Sequence, residues 1–229
     1  RDATTELLAT LFGQTTVADD FAAALYRETE GNPFFVEEVV KSLIEQGQIY
    51  RTSGDWQRLA VAELVIPQSI RAAVSRRLDR LGEACSRTLQ TAAALGKTFA
   101  FSELAAAAEG GEDVLLDALD KAEAAQVLRA EEEGTYAFTH DKIREVLLDE
   151  LNPIRRRRLH QRIGEGLEQM LGDEAATRGQ DLSYHFILSG DLARGLEYSL
   201  RAADQAERVF AHEEALGFLN RARECAEAL

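Results

Sequence analysis

Proline is scarce in this sequence: three residues in 229. That excludes proline-rich linkers and leaves room for long helices, since proline is the residue that breaks them. Cysteine is scarcer still. Cys85 and Cys225 lie far apart with no motif spacing, so both read as reduced small hydrophobes. Positive charge is short as well. Twenty-six Lys and Arg face 40 Asp and Glu, a formal net charge of −14. That speaks against nucleic acid as a broad partner, because phosphate binding needs clustered Lys and Arg. No apolar run approaches the roughly 20 residues of a membrane span, and no signal peptide is visible. The expectation is a cytoplasmic chain without membrane contact. The only methionine is Met170 and the first residue is Arg1, which reads as a piece of a longer protein.

What is present is enough to build a core. Hydrophobic residues make up 45 %, and Ala, Leu and Glu dominate. The expected class is mainly α. Asp19 or Asp20 can cap a helix that runs to about Thr29. Gly31 suits the left-handed residue after its end, Asn32 can cap the next helix, and Pro33 fits that helix's first position. Val36, Val39, Val40, Leu43 and Ile44 then form a stripe at helical spacing. "QIYRTSGDWQRL" reads as a hairpin around Ser53-Gly54-Asp55.

A second block starts at Ile66-Pro67. Ile70, Val74 and Leu78 line one helix face, and Gly82 precedes a helix running to Leu95. Short helices are expected over 101–108 and 113–124, with Gly110-Gly111 between them. "VLRAEEEGTYAFTH" reads as a hairpin turning at Glu133-Gly134, with Tyr136 and Phe138 on one face. Helices followed by such a hairpin point to a winged helix. Ile143, Val146, Leu147 and Leu151 give the next helix its buried face. From Asn152-Pro153 onward the chain reads as helices, striped at Leu159, Ile163, Leu167 and Met170, and broken at Ser189-Gly190-Asp191 and near Ala211. Leu182 with Leu216, and Tyr184 with Phe218, match at a spacing of 34, a tetratricopeptide-like period.

Candidate sites are few. "LGKT" at 95–98 resembles the end of a phosphate-binding Walker A loop, but position 91 is threonine where glycine is required, and the preceding "LQTAAAL" is helical. It reads as a helix end with Gly96 as cap. His140 has two readings: a turn residue beside a helix capped by Thr139 or Asp141, or a histidine at a helix N-terminus that meets an anion. Arg155 to Arg158 crowd the first turn of a helix, against its dipole. An acidic neighbouring surface would offset this; a phosphate or an acidic partner is the alternative. His140, His160, His185 and His212 share no metal-like spacing with Cys, Asp or Glu. No nucleophile elbow or dinucleotide fingerprint occurs. On its own the chain reads as no enzyme.

"EGNPFFVEEVVKSL", "IPQSIRAAVSRRLDRL" and "YAFTHDKIREVLLDEL" with "RRRRLHQRI" together resemble the region downstream of the nucleotide-binding core in STAND-type AAA ATPases. These signal-transduction ATPases occur in LuxR-like regulators and fused to some adenylate/guanylate cyclases. The resemblance implies three parts: a helical lid with a hairpin over 1–65, a winged helix over 66–153, and a linker helix with tetratricopeptide-like pairs over 154–229. It implies that Gly31-Asn32-Pro33 is the corner whose proline packs near the adenine of ADP or ATP. It also implies that His140 senses the phosphates, although Thr139 stands where the family has a hydrophobic residue. Cofactors would be none in this segment and ATP or ADP in the longer protein. Partners would be the nucleotide-binding core and a protein sensed by the helical repeats. The rival is a DNA-binding winged-helix transcriptional regulator. Against it, "EDVLLDALDKAEAA" carries five acids and one lysine where the recognition helix should lie.

Overall fold

The computed structural model describes residues 2–13, 17–52, 55–61, 64 and 69–229. The chain is mainly helical with two small antiparallel sheets. It divides into two compact units, 1–82 and 83–229. The expected boundaries near 65 and 153 do not coincide with this division.

In the first unit, α1 (Asp2–Phe12), α2 (Asp19–Thr29) and α3 (Pro33–Glu45) pack on one another. Their apolar residues recur at three- and four-residue steps, which places them on one face of each helix. Leu8, Phe21, Leu25, Val36, Val39, Val40 and Leu43 form a buried core with Ile49. The strands β1 (Ile49–Thr52) and β2 (Asp55–Arg58) form the expected hairpin, with Thr52 opposite Asp55. Ser53 and Gly54 of its turn lie outside the described residues, as do Ile66 and Pro67. Trp56 sets its ring edge-on to Phe12, 5.3 Å between centroids. Helix α4 (Ile70–Asp79) packs on α3 and sends Ala73 into this core, and so counts with this unit, not with the one that follows. Neither expected aspartate caps α2. Its cap position is Ala18, and the Asp20 carboxylate instead takes the Arg58 guanidinium at 2.7 and 2.8 Å.

The second unit opens with α5 (Glu83–Leu95), β3 (Thr98–Ala100), α6 (Phe101–Ala107), α7 (Glu112–Ala124), β4 (Leu128–Ala130), β5 (Thr135–Phe138) and α8 (Asp141–Asp149). The sheet order is β3-β5-β4. The elements follow the order read from the sequence, with one strand, β3, that sequence reading missed. Strand β3 is three residues long, too short to show alternation, and it exists because Phe99 pairs with Tyr136 across the sheet. Gly96 ends α5 without entering the left-handed region; the chain straightens there into β3. Helix α9 (Pro153–Leu171) crosses α6, followed by α10 (Gly179–Ser189), α11 (Leu192–Arg208) and α12 (His212–Ala228), each packed on the one before. The breaks fall where expected. The 34-residue matches do not hold in space: Leu182 is buried but Leu216 exposed, and Tyr184 is exposed but Phe218 buried.

Gly166 explains how α9 and α6 meet. A Cβ built on it would lie 2.2 Å from the carbonyl oxygen of Ala106. No side chain fits there, so the two backbones touch.

Candidate functional site

The corner between α2 and α3 is built from hydrogen bonds no more than four residues long. The Thr29 hydroxyl donates to the Leu25 carbonyl at 2.7 Å, and the Asn32 N–H donates to the Thr29 carbonyl at 3.0 Å. Two successive residues turn left-handed, Glu30 with φ 53° and Gly31 with φ 77°. Glycine tolerates this conformation freely, and Gly31 faces the Tyr26 ring so closely that a Cβ would stand 3.0 Å from it. The Asn32 side chain then accepts the Phe35 N–H at 3.3 Å, and Pro33 takes the first helical position. Phe35 and Val36 go into the core while Asn32 and Pro33 stay exposed. The corner is thus a locally hydrogen-bonded turn with an exposed proline.

His140 occupies the cap position of α8, with φ −145° and ψ 140°, and its side chain makes no cap hydrogen bond. It is half-buried. Thr139 does not cap the helix. Its hydroxyl donates to the Gln126 carbonyl at 2.9 Å, tying the end of β5 to the end of α7. Asp141 meets Lys97 at 3.4 Å on the surface. Arg144 donates to the Ala93 carbonyl at 2.6 Å, which pins α8 to the last turn of α5. The corner belongs to the first unit and His140 to the second.

The arginine run lies beside carboxylates, Glu83 and Glu109, without pairing with them. Arg155 to Arg158 are all exposed, and among the described residues none of the four makes an ion pair. Asn152 caps the helix by accepting the Arg155 N–H at 2.9 Å. The acids of α7 point outward: Glu112, Asp113, Asp117, Asp120 and Glu123 are all exposed, as are Glu131 and Glu132 after β4.

Sequence reading missed a histidine pair. His160 of α9 and His185 of α10 are buried with their Nδ1 atoms 2.9 Å apart. Only one of the two can hold the shared proton, so one ring donates and the other accepts. Burial pushes His160 down to about 4, with Arg156 adding to the effect. Burial pushes His185 down to about 3, with His160 and then Arg178 adding to it. Both imidazoles are neutral at physiological pH. Among the described residues no group of three or more His, Cys, Asp or Glu could hold a metal ion. No described helix is long and apolar enough to cross a membrane.

Residues 1–51, which contain the corner, match a family model described as a domain of unknown function, DUF8739. Comparison with curated proteins and with solved structures returned no match.

Proposed function

We propose that this chain is the regulatory and interaction segment of a larger STAND-type ATPase switch in the cytoplasm. Nucleotide held by a core outside this sequence would clamp the corner at Pro33 and the cap position at His140, and exchange would release them. The helices after α8 would sense a protein partner. What supports this reading is the local geometry of two features, one in each unit. An exposed proline sits at a left-handed corner, and a half-buried histidine sits at the start of α8, where β5 enters it. A proline ring offers an apolar wall to adenine. A histidine at a helix N-terminus can donate to a phosphate oxygen, more strongly when protonated. A ligand that touches both only in the closed state shifts the equilibrium between states. A DNA-binding role is opposed by the exposed acids of α7, which would repel phosphates.

The test is ADP retention in the longer protein. His140→Ala should raise the ADP off-rate roughly 10- to 150-fold, the equivalent of one charge-assisted hydrogen bond. The same change in the 229-residue chain should leave its melting temperature nearly unchanged. An unchanged off-rate together with a lowered melting temperature would make His140 a packing residue and remove the sensor role.

A further inference from the structure

Between α5, the turn after α6 and the start of α9, the second unit carries a half-open groove of about 390 Å³. That is within the range of roughly 300–1,000 Å³ typical of small-molecule sites. Four arginines line it: Arg87 from α5, and Arg155, Arg158 and Arg162 from α9. The last three are three and four residues apart, so they share one helix face. Two carboxylates answer them. Glu83 pairs with Arg87 at 3.3 Å, and Glu109 pairs with Arg162. Arg155 and Arg158 keep no ion-pair partner among the described residues. Arg162 also holds its Nε–H buried without an acceptor. On a chain of net charge −14 the groove therefore has an excess of positive charge. Its remaining wall includes Val114, Leu151 and Leu159, which are apolar.

We propose that this groove binds a small organic phosphate. Arg155 and Arg158 fork onto the phosphate oxygens, and the organic part rests on Val114, Leu151 and Leu159. Two unpaired guanidinium groups on adjacent turns offer more donors than one carboxylate can accept. A phosphate dianion, with three terminal oxygens, can take bonds from both. The size of the anion is limited by the neighbours. Glu112, Asp113 and Asp117 of α7 are exposed on either side of Val114, so a nucleic acid or a long acidic segment would meet like charge. Neither Pro33 nor His140 lines the groove, so the site stands independently of the switch proposed above.

Calorimetric titration of the 229-residue chain with phenyl phosphate at low ionic strength tests the proposal. Saturable one-to-one binding is expected, weakened at least about tenfold in the Arg155→Gln, Arg158→Gln double variant. Both side chains are exposed, so the variant's circular dichroism and melting should match the parent's. Benzoate, with a carboxylate on the same ring, should bind at least about tenfold more weakly. Four results would each overturn the proposal: no saturable heat up to millimolar phenyl phosphate, undiminished binding by the double variant, equal affinity for benzoate, or inorganic phosphate bound as tightly as phenyl phosphate. Saturation by a polyglutamate peptide but not by phenyl phosphate would replace the proposal with an acidic protein partner.

Discussion

Arg77 of α4 sets its Nη1 2.6 Å and 2.8 Å from the two carboxylate oxygens of Glu38 on α3, and both side chains are buried. Glu38 belongs to the stretch that follows the Gly31-Asn32-Pro33 corner, so the helix that starts at the corner is held from its far side by α4. Taking two charges out of water is expensive, and their attraction repays it only while both are present. Glu38→Ala or Arg77→Ala should therefore destabilise the first unit by roughly 3–5 kcal/mol. Replacing both together, as Glu38→Ala with Arg77→Ala, should cost clearly less than the sum of the two single losses. Urea unfolding of the four proteins measures the cycle, and additive losses would mean that the pair is not coupled.

Glycine in the middle of a helix is ordinarily a weak point, and alanine there stabilises by roughly 0.5–1 kcal/mol. Gly217 of α12 should behave this way, because nothing lies within 4 Å of its missing Cβ. Gly166 should do the opposite. Its Cβ would strike the backbone carbonyl of Ala106, which cannot swing aside as a side chain could. Overpacking of this kind costs roughly 1–3 kcal/mol. Thermal melts should show Gly217→Ala raised and Gly166→Ala lowered by a few degrees; two shifts of the same sign would contradict the close crossing of α9 and α6.

The buried histidine pair makes stability depend on acid. In the unfolded chain each imidazole titrates near 6.5; in the fold His160 titrates at about 4 and His185 at about 3. Below 6.5 the unfolded chain takes up protons that the folded chain refuses. The contribution is therefore fully present above 6.5 and is lost as pH falls towards 4 and 3, by roughly 1.4 kcal/mol per pH unit for each histidine. Urea midpoints should drop between pH 6.5 and 5, before most carboxylates titrate. The His160→Leu, His185→Leu variant should flatten that part of the curve.

Duplex DNA should not bind this chain. Five acids on α7 are exposed, and such a surface repels the phosphates of a duplex. A band shift at about 0.15 M salt that responds to charge reversal within 112–124 would contradict this.

The elements legible in the sequence were those made by near neighbours. The α2–α3 corner needs only Thr29, Gly31, Asn32 and Pro33, all hydrogen-bonded within four residues, so turn chemistry alone located it. The helix stripes and the β4–β5 hairpin were legible for the same reason, because their periodicity is carried by consecutive residues. Other features were decided only when distant segments met. Strand β3 forms because β5 is there to pair with it. Glu38 and Arg77 are 39 residues apart, His160 and His185 are 25 apart, and no local pattern marks either pair. The arginine run was visible as a run, but which of its members line a groove depends on where α9 crosses α6. That crossing depends on the missing side chain of Gly166, and contact across it is a matter of packing rather than of spacing along the chain.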